Sequence, residues 1–204
     1  MQERLISFSL NLDTSQTPVL LGVVALIFWG LSEKLIHIFR LRQPKVSQRE
    51  KLSCYWCGLS YFGAVIFSLL DAIGFHWTTI SPGLSSASYL GVPFLVIGIA
   101  VRIISRLTLG KQFSGHVQTN PGHRLITSGI YSSIRHPAYL GFLCLLIGFP
   151  VCFGSIAGFG CTIVLGIPSL LYRIHIEEIA LLRWFGEDYR LYQKKTKRLV
   201  PLLW

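Results

Sequence analysis

Residues 138–172 read AYLGFLCLLIGFPVCFGSIAGFGCTIVLGIPSLLY, a run with no acidic or basic side chain. A helix that crosses a bilayer core needs about 20 apolar residues, so this run is too long for one crossing and suits two short ones. Its middle, Gly148-Phe149-Pro150-Val151-Cys152-Phe153-Gly154-Ser155, holds the residue types that turn a helix back on itself. The reading predicts a helical hairpin with spans near 138–150 and 154–174. The glycines at 154, 158 and 160, at the start of the second span, read as sites of close helix packing.

Three more runs without charge lie upstream, at Thr14–Ser32, Leu52–Leu70 and Ala72–Val101. They predict spans near 15–37, 52–70 and 84–105, with Ser81-Pro82-Gly83 as the turn before the third. The chain is 51% hydrophobic and 14% charged, against about 25% charged in an ordinary soluble domain. The expectation is an all-α integral membrane protein, multi-pass, with about five transmembrane helices.

The net charge of +10 raises nucleic acid as a partner, so its placement matters. Arg40, Arg42, Lys45, Arg49 and Lys51 follow the first span. Arg106, Lys111, Arg124 and Arg135 follow the third, and a further basic group runs from Arg173 to Arg198 in the tail. The intervening segments are nearly free of positive charge. Alternate basic segments are the positive-inside pattern, which puts the N-terminus outside and the C-terminus in the cytoplasm. The charge then serves topology and anionic-lipid attraction, and nucleic acid is not an expected partner. Glu3 and Asp13, with no small-residue cleavage site after the first run, argue against a cleaved signal peptide. Cys54 and Cys57 form a Cys-x-x-Cys inside the second span. Two further ligands would be needed for zinc, so they read as small apolar residues and no metal is expected. His37 and His76 are isolated and read as interfacial side chains.

Two polar clusters stand out, both in the C-terminal half. The segment GKQFSGHVQTNPGHRLITSGIYSSIRHPAYLG, from Gly110, packs histidines, arginines and tyrosines among glycines and prolines between two spans. Connections this long are usually functional or disordered, and this one is too rich in aliphatic and aromatic residues to be a spacer. The second cluster is Arg173-Ile-His-Ile-Glu177-Glu178 at the cytoplasmic end of the last span. Arg173 and Glu177 are four apart and share a helix face. Carboxylates at a membrane boundary are costly unless they bind a cation or face a polar cavity. In the tail, Gly186 ends one helix and Glu187-Asp188 opens another, which reads as an interfacial amphipathic helix.

In order, the motifs are His123-Arg124-Leu125-Ile126, Gly129-Ile130-Tyr131 and Arg135-His136-Pro137-Ala138-Tyr139-Leu140-Gly141. After the hairpin come Arg173 to Glu178, Phe185-Gly186 with Tyr189 and Tyr192, and Arg198-Leu199-Val200-Pro201. The ordered set resembles the isoprenylcysteine carboxyl methyltransferase family, which is related to the membrane phospholipid methyltransferases. The resemblance covers roughly residues 110–204, while residues 1–109 match only as three membrane helices. It implies S-adenosylmethionine as methyl donor, in a pocket formed by the cytoplasmic loop and the C-terminal helices. It further implies that His123, Arg124, Leu125 and Ile126 line that cofactor, with Tyr131, His136, Pro137, Ala138, Tyr139 and Glu177 completing the pocket and Gln118 as a further contact. Arg173 takes the position that holds the substrate carboxylate.

The residue chemistry is compatible with this. A sulfonium cation suits the Glu177 carboxylate and the faces of Tyr131 and Tyr139. An arginine fork suits a carboxylate acceptor, which is already ionised and needs no base. Alternating strands and helices with a Gly-rich turn, the pattern of the usual soluble methyltransferase, are absent from the sequence. Other readings stay open: a phospholipid amine N-methyltransferase with Glu178 or His136 as base, a sterol-reductase-like enzyme, or a non-catalytic scaffold. The expected partner is a lipid or lipidated substrate from the bilayer. The length and span count resemble prokaryotic members, which implies a plasma membrane, or the endoplasmic reticulum in a eukaryote.

Overall fold

The computed structural model describes residues 17–38, 48–79, 85–110 and 124–200. The helices are α1 (Thr17–Ile38), α2 (Gln48–Leu70), the single turn α3 (Ser85–Ser88), α4 (Gly91–Leu109), α5 (Pro137–Cys152), α6 (Ile156–Cys161), α7 (Ile167–Phe185) and α8 (Glu187–Lys195). A π-turn at Asp71–Phe75 extends α2, and another at Thr162–Gly166 joins α6 to α7. No strand occurs among the described residues, only isolated bridges. Lys51–Phe75, Gly91–Leu109 and Ile156–Phe185 are long and apolar enough to cross a membrane, and Thr17–Ser32 and Pro137–Cys152 are shorter apolar helices. These five segments correspond to the five expected spans. The expected turn at Ser81-Pro82-Gly83 lies outside the described residues.

The helices are arranged for lipid outside and small or polar groups inside. Val24, Leu59, Val96 and Val164 face outward, while Ser68, Asp71 and Thr162 are buried. Trp29, Tyr61, Leu95, Leu145 and Phe149 form the main core, with Tyr61 stacked on Phe142 at 4.3 Å between ring centroids. The closest backbone approach is between α4 and α5, and glycines placed seven apart on each helix make it. A Cβ on Gly98 would lie 2.8 Å from Gly141 O, and one on Gly91 would lie 2.6 Å from Gly148 O. One turn beyond Gly98, Arg102 Nη1 donates to Ala138 O at 3.1 Å, tying α4 to the first turn of α5.

Two boundaries differ from the sequence expectation. The hairpin turns at Phe153–Ser155, later than Pro150, which sits inside α5. Proline cannot bond back to the carbonyl four residues earlier. Here Thr162 Oγ1 donates to that carbonyl, Leu146 O, at 2.9 Å, so the helix continues through Pro150. Gly154, at φ 63°, supplies the left-handed residue that reverses the chain. Asp71 then fastens the turn, accepting from Ser155 Oγ and Thr78 Oγ1, both at 2.6 Å. Of the hairpin's glycines, Gly158 is the close-packed one: a Cβ there would overlap Ser68 Oγ at 1.9 Å, whereas Gly160 faces open space.

The other boundary is that of the last span. Helical structure continues past the expected span end near 174 to Phe185, so Arg173, Glu177 and Glu178 lie inside a continuous helix. No glycine or proline interrupts Ser169–Phe185, and Gly186 at φ 51° ends it as expected.

Candidate active site

The segment before α5 and the tail fold onto each other through the backbone. Lys197 N donates to Ser133 O at 3.0 Å, Arg135 N to Lys197 O at 2.8 Å and His136 N to Arg198 O at 3.1 Å. Arg135 Nη1 adds bonds to the carbonyls of Gln193 and Thr196. On α8, Tyr189 and Tyr192 are buried, and Tyr192 OH donates to Tyr131 O at 2.6 Å. The helix expected to lie on the lipid surface thus turns its tyrosines into the protein. Burial pushes the Tyr131 and Tyr189 hydroxyls well above the ordinary phenol range and Tyr192 to about 12, so all three stay protonated at neutral pH.

Adjacent positions on an α-helix point about 100° apart, which sends Glu177 and Glu178 into separate environments. Glu178, 4% exposed, lies between two guanidiniums, Arg135 Nε at 3.0 Å and Arg198 Nη2 at 2.8 Å, with the His136 ring nitrogen Nε2 at 3.4 Å. The two arginines satisfy the carboxylate. His136 Nε2 is buried without an aligned hydrogen-bond partner among the described residues.

Glu177 faces the other way. Tyr139 OH donates to Glu177 Oε2 at 2.5 Å and accepts from Arg173 Nε at 3.1 Å. Arg173 is 2% exposed, and its Nη1 donates to Ser53 Oγ on α2 at 2.9 Å. The i,i+4 ion pair itself is long, with Arg173 Nη2 3.8 Å from Glu177 Oε2, beyond hydrogen-bond distance. A carboxylate, a phenol and a guanidinium from motifs 34 or more residues apart are therefore joined in one cluster.

A cleft of about 450 Å³ lies further along α7, lined by Arg124, Leu125, Thr127, Phe185, Asp188 and Leu191. Its volume is within the ordinary range of small-molecule sites. Arg124 and Asp188 give it opposite charges, and Leu125, Phe185 and Leu191 give it apolar walls.

Of the expected cofactor residues, Arg124 and Leu125 line this cleft, while Tyr139 and Glu177 belong to the buried cluster. Ile126 is half-buried and is not part of the cleft lining. Tyr131 contributes a carbonyl to Tyr192. His136 lies 4.0 Å from Glu177 through Nδ1, bridging toward the Glu178 group. Pro137 is the first residue of α5, and the Ala138 carbonyl is taken by Arg102. Gln118 and His123 lie outside the described residues. Sequence reading missed Ser53, Thr127, Phe185, Asp188 and Leu191 as lining or contact residues. Phe185 and Asp188 sit within the Phe-Gly-x-x-Tyr element, which was the available signal. Ser53 had none. Cys57 is buried against Leu170, Ile174 and Leu199, and no group of three metal-ligating side chains occurs among the described residues.

The sequence profile described as "Isoprenylcysteine carboxyl methyltransferase (ICMT) family" matches residues 90–183. A protein-S-isoprenylcysteine O-methyltransferase of Xenopus laevis is 34% identical over 134 residues, covering 62% of this chain and 46% of that protein. The protein-S-isoprenylcysteine O-methyltransferase A of Arabidopsis thaliana is 28% identical over 196 residues, covering 94% of this chain and 96% of that protein. The match thus spans about half the length of the frog protein and nearly all of the plant one. Among solved structures, the eukaryotic intramembrane Ras methyltransferase ICMT shares the fold. Its TM-score is 0.67 at 23% identity, covering 95% of this chain and 70% of that one.

Proposed function

We propose, from the premise that this chain belongs to the isoprenylcysteine carboxyl methyltransferase family, that it is a membrane methyltransferase that uses S-adenosylmethionine to esterify a carboxylate. The acceptor is an isoprenylcysteine or a lipid-like analogue of one. The observation that carries this reading is the junction of Glu177, Tyr139 and Arg173, which sets an anionic group for a cationic donor beside a guanidinium for an anionic acceptor.

The residues fit the donor. Glu177 with Tyr139 suits a cationic sulfur or ammonium, and the cleft is large enough for a nucleoside. Eight residues separate Glu177 from Phe185, about 12 Å along the helix, so one extended molecule can engage both. When bound, S-adenosylmethionine supplies an electrophilic methyl group that an ionised carboxylate takes by in-line displacement, with no general base required. What the protein must do is align and exclude water. Glu177 fixes the donor end, Arg173 orients the acceptor oxygens by paired hydrogen bonds, and the loop–tail pairing closes the cytoplasmic side. Lipid-facing helices let an acceptor reach Arg173 from the bilayer.

The same reading takes residues 110–204 as the catalytic region, 1–109 as its membrane support, and the C-terminus as cytoplasmic, in a prokaryotic plasma membrane. A second reading, N-methylation of a phospholipid amine, has one observation in its favour. An ammonium must lose a proton, and His136, buried beside Glu178, is the available base, since Glu178 is already held by two arginines. Calorimetric titration of the purified protein in detergent with S-adenosylhomocysteine tests the shared premise: saturable heat is expected, and its absence defeats both readings. A rate that is flat through neutral pH then favours the carboxylate, and one that rises with pH favours the amine.

A further inference from the structure

We infer that Ser53 on α2 is a positioning residue for Arg173, and through it for the acceptor carboxylate. The inference rests on the carboxyl methyltransferase reading above. A guanidinium only donates, so in the 2.9 Å contact Ser53 Oγ is the acceptor. Both groups are out of solvent, Ser53 at 0% and Arg173 at 2% exposure. In such a setting an arginine takes whichever partners its surroundings supply, and Glu177 offers a full charge one helical turn away on the same face. That ion pair nevertheless stays beyond hydrogen-bond distance, at 3.8 Å.

Two hydroxyls contribute to that spacing. Tyr139 OH occupies Glu177 Oε2 at 2.5 Å and takes Arg173 Nε, while Ser53 draws Nη1 toward α2. The guanidinium is thereby held off the carboxylate that its own helix offers. If it closed on Glu177, direct hydrogen bonds would take up N–H groups that orient an incoming carboxylate and an oxygen that faces the donor. The α2–α7 register that makes this possible is fixed independently further along the two helices, where Ser60 Oγ and Ser169 Oγ are 2.6 Å apart. Ser53 thus brings a residue of the N-terminal helices into the site without touching the reacting atoms.

The test uses the full chain in detergent and measures the KM and kcat for an N-acylated S-prenylcysteine, with S-adenosylhomocysteine affinity in parallel. Ser53→Ala is expected to raise the acceptor KM about tenfold, the scale of one hydrogen bond to a charged group, with kcat and nucleoside affinity changed by less than about threefold. Ser53→Thr, which keeps a hydroxyl, is expected to restore the KM. Ser60→Ala removes a different α2–α7 bond and should leave the KM unchanged. An unchanged KM in Ser53→Ala overturns the inference. So does an equal rise in Ser60→Ala, or a parallel loss of nucleoside binding, since either would mark general helix packing. Should Ser53→Ala not fold, a Ser53→Thr variant with the raised KM overturns it as well. If the unaltered protein methylates no carboxylate, the functional reading falls first, and that result is distinct from all of these.

Discussion

Tyr139 on α5 donates its hydroxyl hydrogen bond to Glu177 on α7 across a 2.5 Å contact, and the same oxygen accepts a hydrogen bond from Nε of Arg173. The helical hairpin between these residues brings them together. Its short turn at Gly154 returns α7 alongside the start of α5, so Tyr139 can mediate between an acid and a base on one helix.

Replacing that hydroxyl should therefore separate the two roles. Tyr139→Phe keeps the ring and the packing but leaves Glu177 and Arg173 without their shared partner. S-adenosylhomocysteine affinity is expected to fall by about tenfold, with thermal unfolding shifted by only a few degrees. Titration calorimetry beside a melting curve checks both. Unchanged affinity would remove Tyr139 from the site.

Glu177 and Arg173 should differ in what they lose. Glu177→Gln is expected to weaken nucleoside binding by about tenfold or more, whereas Arg173→Ala spares it and abolishes turnover of a carboxylate acceptor. Binding assays on both variants, with acceptor kinetics on the second, separate these outcomes. Equal loss of binding in both would mean the roles are misassigned.

Glu178 holds the tail. Its removal leaves Arg135 and Arg198 near one another without their counter-charge, and breaking a buried ion pair typically costs about 3–5 kcal/mol. Glu178→Ala should lower the melting temperature and expose the segment around Lys194 and Lys195 to trypsin. Limited proteolysis at matched temperature reads this directly, and a tail as resistant as in the unaltered protein would contradict it.

The glycine seam between α4 and α5 has its own signature. A methyl group on Gly141 would sit 2.6 Å from Gly98 O, a backbone atom that cannot swing aside. Gly141→Ala should destabilise the protein by about 1–3 kcal/mol as an overpacked contact. Gly160→Ala, in open space, should be near neutral. Paired melting curves compare the two.

The membrane class and the hairpin were legible because they depend on runs of residues, and runs survive without tertiary knowledge. The hairpin's first helix runs two residues past its expected end because Pro150 is a helix breaker only while its freed carbonyl lacks a partner. Thr162, twelve residues later, provides one. The motif residues Arg135, Tyr139, Arg173 and Glu177 could be listed from sequence, but not how they divide. Neighbours such as Glu177 and Glu178 look equivalent in a string, and only the helical angle sends one to Tyr139 and the other to Arg135 and Arg198. Ser53 was invisible for a different reason. A serine in an apolar run has many uses, and only the fold brings it 2.9 Å from Arg173 across 120 residues of sequence.

The central claim is methyl transfer to a carboxylate, and the bond formed can be identified chemically. The purified protein would be given S-adenosylmethionine labelled on the methyl group together with an N-acylated S-prenylcysteine, and the product treated with alkali. A methyl ester releases its label as volatile methanol, which is the expected result, and the release should vanish in Arg173→Ala. Label that resists alkali, or no transfer at all under conditions where the nucleoside binds, would contradict the account.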